Sequence, residues 1–321
     1  MAKRKTGKEI LGNSKETPNQ KLRRELDKER KEKESLLSQL EKLRAAKFKL
    51  SLGKPKTRRG GYCRLVVPDS HGCVIDKEAA TAFLHDVDII NPSEVIFLGD
   101  HLECGGFLAE HHTLGYVAQT DYSFADDEAA CNAFLDEIDK RCPNASKVYI
   151  EGNHERRIEN WIVTNTRKRP KDAAYLRKRF SVDTSIHLSK RKYRWIRQGE
   201  FYDGVSVPAT IKLGNCYFTH GSSTAKHAAS VHVQKFGGNI VYGHTHRADS
   251  HLTKTVDKGS IGAWCPGCLC QLQPLWQHTN PTDWTHGYGL QLVDSSGDFL
   301  HVNVPIVSGK SLLSPLVDAL K

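Results

Sequence analysis

Five short apolar runs in this chain, each bounded by a glycine or a proline, hand over to Asp, His or Asn. Arg64-Leu65-Val66-Val67-Pro68 leads into Asp69-Ser70-His71-Gly72, and Val95-Ile96-Phe97-Leu98-Gly99 into Asp100. Lys147-Val148-Tyr149-Ile150-Glu151-Gly152 leads into Asn153-His154-Glu155. Cys216-Tyr217-Phe218-Thr219 leads into His220-Gly221, and Ile240-Val241-Tyr242-Gly243 into His244-Thr245-His246. Runs of this length suit strands buried on both faces. The loops after such strands are where a rigid scaffold offers ligands. Five strand ends that deliver only Asp, His and Asn form a metal-site pattern.

A chain of 321 residues can hold one large domain or two small ones. No apolar run approaches the length of a membrane span, so no membrane partner is expected. The N-terminus is charged and no apolar stretch follows it, which argues against a secretory signal. Nine cysteines without a disulfide rhythm favour a reducing compartment, and a cytoplasmic location is the expectation.

The net charge of +10 is unevenly placed. Residues 1–60 hold 20 Lys/Arg against 8 Asp/Glu, a net +12. Residues 167–197 hold 12 basic and 2 acidic residues, which leaves the rest of the body acidic, as a cation site encourages.

Residues 1–20 are polar and aperiodic and read as a disordered basic tail. Residues 21–50 carry Glu, Lys, Arg and Leu without Gly or Pro, and read as a charged helix or weak coiled coil. Leu22, Leu26, Leu36, Leu40, Leu43 and Leu50 occupy the two seam positions of a heptad, which Glu29, Lys33 and Lys47 interrupt. A homo-oligomer through residues 22–50 is one expectation, and a solvated single helix is the other. A basic linker spans 51–61, the main domain 62–308 with its basic insert 167–197, and a C-terminal tail 309–321. Within the domain, helices are expected over 76–91, 126–141 and 155–166. The loop after Asp100 carries His101, Glu103, His111 and His112. The segment Tyr288–Val304 reads as a closing hairpin around Asp294-Ser295-Ser296-Gly297-Asp298.

Carboxylates suit hard ions such as Mn²⁺ or Mg²⁺, and imidazoles extend the choice to Fe, Zn, Ni or Co. Two such ions close together acidify a water and neutralise a phosphoryl displacement. Asp100, directly after its glycine, is the natural bridging carboxylate. Each motif is weak by itself; five of them in order, each after an apolar strand, are not.

The ordered set Asp69-Ser70-His71, Gly99-Asp100, Gly152-Asn153-His154-Glu155, Thr219-His220-Gly221 and Gly243-His244-Thr245-His246 resembles the calcineurin-like metallophosphoesterase superfamily. The resemblance spans about residues 62–250. It implies an α/β fold, a four-layer αββα sandwich of two mixed sheets, with two divalent metal ions at the strand ends. Manganese is the first expectation for both. Carried over residue by residue, Asp69, His71 and His246 hold one ion, Asn153, His220 and His244 the other, and Asp100 bridges. His154 stands beside the leaving-group oxygen as acid or donor, with Glu155 behind it. Glu103 occupies the place of the residue that pairs with the catalytic histidine in relatives. Cys104 and Glu151 stand where protein phosphatases carry arginines, which disfavours a phosphoprotein substrate. Arg156 and Arg157 are the remaining candidates for a phosphate contact.

Cys265-Pro266-Gly267-Cys268-Leu269-Cys270 has a zinc-like spacing but lacks a second pair nearby, so packed thiols compete with a zinc site. Trp264, Trp276, Trp284 and Tyr288 read as core or as the rim of a substrate site. For substrate, the basic arm and insert favour nucleic acid, hence a phosphodiesterase or nuclease. Tyr175, Phe180, Tyr193 and Trp195 interleave with the insert's charges, as single-strand binding favours. The alternatives are a phosphomonoesterase on a small molecule or nucleotide, and a non-catalytic nucleic-acid-binding scaffold.

Overall fold

In the computed structural model, the five apolar runs are all strands. It describes residues 17–45, 60–109, 123–167, 169–199, 201–202, 205–206, 209–277 and 281–315. The expectations for residues 1–16, 46–59 and 316–321, and for His111 and His112, lie outside these. The chain divides into two units, Met1–Thr57 and Arg58–Lys321. In the first, α1 runs over Pro18–Ala45. None of the described helices is long and apolar enough to cross a membrane.

The second unit opens with β1 (Tyr62–Val67), α2 (Lys77–Ile90), β2 (Glu94–Phe97), α3 (Phe124–Arg141) and β3 (Ser146–Ile150). Next come α4 (Arg156–Asn165), α5 (Pro170–Arg177), α6 (Val182–Ile186) and β4 (Arg194–Ile196). A two-stranded ribbon, β5 (Phe201–Tyr202) and β6 (Val205–Ser206), precedes β7 (Thr210–Leu213) and β8 (Cys216–Thr219). The chain continues through α7 (Ala228–Phe236), β9 (Asn239–Tyr242), β10 (Ala248–Thr255) and β11 (Gly259–Pro266). It closes with β12 (Gly287–Val293), β13 (Phe299–Val307) and β14 (Lys310–Ser311). The expected closing hairpin is the antiparallel pair β12–β13.

Caps explain the helix limits. Asp76 accepts hydrogen bonds from the backbone of Glu78 and Ala79, and Asn91 ends α2 in the left-handed region at φ 45°. Helix α3 begins two residues earlier than the apolar periodicity suggests. The reason is a capping box in which Ser123 and Asp126 each accept from the other's backbone.

The strands form two mixed sheets, ordered β14-β13-β12-β1-β2-β3-β4 and β10-β11-β9-β8-β7. In the first, β1 to β4 run parallel and β12 joins β1 antiparallel. In the second, β9 is parallel to both β8 and β11. Alternation along each strand then builds three apolar layers. Leu65, Val67, Val95, Phe97 and Tyr149 face α2, α3 and α4. Val66, Ile96, Leu98, Val148 and Ile150 face the other way, onto Ile211, Phe218 and Val241 of the second sheet. Ile240 and Tyr242 face outward onto Ala228, Ala229 and Val233 of α7. Helix, sheet, sheet, helix is thus a direct result of period-two burial on both faces, and it is the four-layer αββα sandwich expected.

Candidate metal centre

The loops after β1, β2, β3, β8 and β9 meet in one place. Their positions in the two sheets bring Asp69, His71, Asp100, Asn153, His220, His244 and His246 together, as the sequence arranges them. Two potential ligand groups, Asp69/His71/Asp100 and Asp100/His220/His244, each gather their ligand atoms within 4.8 Å. They share Asp100. The Asp69 Oδ2 lies 3.0 Å from His246 Nε2, and His246 Nε2 lies 3.1 Å from His71 Nε2. On the other side, His220 Nε2 stands 2.8 Å from Asn153 Oδ1, 3.2 Å from His244 Nδ1 and 3.2 Å from Asp100 Oδ2. Oxygen and imidazole lone pairs therefore converge from both sides on one buried carboxylate.

Backbone geometry shows that these loops are held against their preference. His71, Asp100, His244 and His246 all have positive φ, between 52° and 72°. Each such residue costs on the order of 1–2 kcal/mol relative to an ordinary conformation. The surrounding contacts compensate for that cost. Glu155 is completely buried, and its carboxylate accepts from the backbone N–H groups of Asp100, His101, Leu102 and Gly152 at 2.8–3.2 Å. The Tyr149 hydroxyl donates to it at 2.7 Å. Asp127, on the buried face of α3, accepts in the same way from Cys73, Glu103 and Cys104. Burial raises its pKa to about 6.

The outer ring nitrogens are fixed too. His220 Nδ1 donates to the Leu98 carbonyl at 3.0 Å, and His71 Nδ1 lies 2.6 Å from Glu103 Oε2. His246 Nδ1 faces Cys270 Sγ at 3.9 Å. Such partners orient imidazoles that bind through the other nitrogen. His244 differs in turning Nδ1, not Nε2, toward His220.

Charge balance tests whether ions fit. Asp69, Asp100, Glu103, Asp127 and Glu155 are all buried around this place, and Arg157 is the buried arginine that faces them. Burial would raise the carboxyl pKa of Asp69, but His220 and His246 hold it down to about 2. Asp100 is held well below the usual range, against its burial, by His220 and His154. Burial would lower His220, but Asp100 and Asp69 raise it to about 10. Burial and the neighbouring His220 push His244 down to about 4. Five buried carboxylates faced by shared imidazoles and by Arg157 are a donor set that divalent ions complete. The residues fit the group.

His154 and Glu103 also reach this centre. His154 Nδ1 is 2.7 Å from the Glu103 carbonyl and 3.3 Å from its carboxylate, and Nε2 lies 3.9 Å from Asp100 Oδ2. Glu103 thus touches both His71 and His154, so its pairing extends beyond the one the resemblance implies. Arg157 is buried and donates to the Glu103 carbonyl, with Nη2 3.1 Å from His154 Nε2. Arg156 is exposed and takes no part in these contacts.

Sequence reading missed Asp127, and it placed Cys270 in a separate cysteine cluster rather than beside His71 and His246. An acid in the apolar stripe Asp127, Cys131, Phe134, Leu135, Ile138 of α3 was the available signal for the first. Cys265, Cys268 and Cys270 are buried free thiols. Among the described residues they do not gather as a three-cysteine cluster, and Cys270 groups with His71 and His246 instead. Of the aromatic tail, Trp284 packs edge-on against His246 with ring centroids 4.1 Å apart, so it rims the centre. Tyr288 is core, with its hydroxyl on Asp86.

Gly152 leaves no room for a side chain. A Cβ there would lie 2.1 Å from Asp100 Oδ1 and 2.5 Å from the Asp100 backbone nitrogen. Gly152→Ala is therefore expected to displace Asp100 and to destabilise the fold by about 1–3 kcal/mol. Denaturant unfolding together with metal titration checks this. Unchanged metal affinity in a folded variant would contradict the packing described.

No family model and no curated protein matches the chain. Among solved structures it is similar to Vacuolar Protein Sorting 29 from Cryptosporidium parvum, at 11% identity and a TM-score of 0.37, covering 78% of this chain and 94% of that one. It is also similar to YfcE, a phosphoesterase from E. coli, at 14% identity and a TM-score of 0.35, covering 75% and 98%. A third likeness is to TT1561 of Thermus thermophilus, at 10% identity and a TM-score of 0.31, covering 76% and 99%. Likenesses at this level carry no argument about activity. The chain's own architecture and the order of its five motifs are those that the resemblance to calcineurin-like metallophosphoesterases implies.

Proposed function

We propose that this chain is a phosphoesterase that uses two divalent metal ions, with a phosphodiester of nucleic acid as its substrate. The observation that carries the reading is the pair of ligand groups that share the buried Asp100. When bound, two ions there would acidify a water and neutralise charge on the phosphoryl oxygens. The chain's own residues do the rest. Asp69, His71 and His246 would hold one ion, Asn153, His220 and His244 the other, with Asp100 between them.

His154 would meet the leaving-group side. Burial lowers its pKa, but Asp100 and Glu103 outweigh burial and raise it to about 9. That charge conflicts with the Arg157 contact, since a guanidinium does not donate to an imidazolium. The contact distance describes the neutral ring. A phosphate oxygen seated between Arg157 and His154 would relieve the conflict and favour the protonated ring, and His154 would then give its own proton to the departing oxygen and end neutral. Arg157 then takes the part of the arginines absent at Cys104 and Glu151. Glu103 keeps the ring turned toward the centre.

The basic insert supports a polyanionic substrate. Arg167, Arg169, Lys171, Lys178, Arg179, Lys190, Lys192, Arg194 and Arg197 are exposed on it. Arg177 and Arg191 are instead engaged by Glu159 and by Asp136 and Asp139. Its aromatic residues do not support stacking on bases. Phe180 and Trp195 pack against the core, Tyr193 is buried in it, and only Tyr175 of the four is exposed. Charge without exposed rings suits backbone contact rather than base contact.

Replacing Arg167, Arg169 and Lys171 with Gln should weaken binding to duplexes and single strands alike and flatten the log–log salt slope by about 2–3. A slope that does not move would detach the insert from substrate binding. The reading as a whole is tested by Mn²⁺-dependent hydrolysis of a bis-aryl and a mono-aryl phosphate side by side. Faster diester turnover is expected. Faster monoester turnover would make the enzyme a phosphomonoesterase and the insert a solvated surface.

A further inference from the structure

Helix α1 spans 28 residues, and its seam reads Leu22, Leu26, Glu29, Lys33, Leu36, Leu40 and Leu43. Leu22, Leu26 and Leu36 are 57%, 56% and 61% exposed. A seam of leucines in water is stabilised when another helix covers it, and a heptad spacing fits a helix as the cover. The two charged seam positions decide which helix, and in which direction.

A second copy laid parallel and in register would set each seam residue against itself. Glu29 would then face Glu29, and Lys33 would face Lys33. An antiparallel copy pairs each seam position with the opposite one. In the register centred on residue 31, Leu22 faces Leu40, Leu26 faces Leu36, and Glu29 faces Lys33, each pairing occurring twice. From Leu22 to Leu40 every seam leucine meets a leucine and both seam charges meet their opposites, while Leu43 meets Asn19. Sliding by one heptad would instead put Lys33 on Leu36 and Glu29 on Leu40, stranding both charges. The centred register also lies at the midpoint of Pro18–Ala45, so the two helices overlap along their whole length.

The flanks oppose this arrangement weakly. Arg30 would approach Arg30 and Glu32 would approach Glu32 across the midpoint. These positions stay in water, where such terms are small and screened, and Arg30 already pairs with Glu34 at 3.4 Å within its own helix. Seam charges are the less hydrated ones, so they set the direction.

We propose that α1 forms an antiparallel two-stranded coiled coil with a second copy of this chain, registered by reciprocal Glu29–Lys33 pairs.

The test is the full-length Glu29→Lys/Lys33→Glu double variant, which keeps composition and net charge. Swapped chains should pair with each other as wild-type chains do. Isotope-labelled wild type and unlabelled double variant are equilibrated together and the dimers are weighed by native mass spectrometry. The antiparallel register sets Lys on Lys and Glu on Glu in a mixed pair, so the mixed dimer should fall well below the statistical share of about one half. A parallel pair would satisfy both charges in the mixed dimer and raise its share above one half. A mixed share at or above the statistical one overturns the proposal. So does a wild-type chain that stays monomeric, or a double variant that fails to dimerise when wild type does.

Discussion

Asp100→Asn is expected to lower phosphodiester hydrolysis by at least about 10³-fold, because the side chain is the one shared by both ligand groups. Asparagine preserves the acceptor for the His154 backbone N–H, which meets Asp100 Oδ1 at 2.8 Å. The loop should therefore keep its shape while the second ion loses its anionic anchor. The metal-free protein should keep its fold but unfold somewhat more easily than wild type, because His220 and His154 hold Asp100 charged against its burial and that attraction is lost with the carboxylate. The combination is diagnostic. A variant that keeps its turnover to within tenfold would show that Asp100 is not the bridge. A variant that loses turnover only by unfolding would leave the site without this support.

Glu155→Ala is expected to cost about 3–5 kcal/mol of folding stability, the largest effect of any single change considered. The carboxylate receives four backbone N–H groups and a phenol in a place with no water access. Its removal orphans donors at Asp100, His101, Leu102 and Gly152 together. Burial and the nearby Asp100 push its pKa up, so the energy it contributes is that of its hydrogen bonds, not of a free charge. Glu155→Gln keeps one acceptor but points an amide at donors, and it should cost about half as much. Denaturant melts of the two variants test this. If both lie within about 0.5 kcal/mol of wild type, the loops after β2 and β3 are held by something other than Glu155.

Much of this arrangement was legible in the residues. Buried strands announce themselves as runs such as Val95-Ile96-Phe97-Leu98, because a strand covered on both faces has no reason to alternate. The candidate ligands announce themselves because a buried Asp or His directly after such a run has few other uses. What could not be read is how the loops are supported. Glu155 is adjacent to a motif, but its acceptor role depends on which amides β2 and β3 bring beside it. Asp127 lies 27 residues beyond Asp100 and reaches the same loop only because α3 packs there. The insert misled for a related reason. Basic and aromatic residues alternate in its sequence, but α5, α6 and β4 turn Phe180, Tyr193 and Trp195 inward, and leave the charges outside. Composition does not carry that sorting; the packing of the insert on the first sheet does.

The most direct test of the account is to titrate metal-free protein with Mn²⁺ while recording its electron paramagnetic resonance spectrum. A centre sharing Asp100 should take up two ions per chain, and the second should replace the six-line signal of isolated Mn²⁺ with the multiline signal of a coupled pair. Asp100→Asn should abolish the coupled signal. Saturation at one ion, or two ions that remain magnetically isolated, would contradict the shared-carboxylate centre and the phosphoesterase reading built on it.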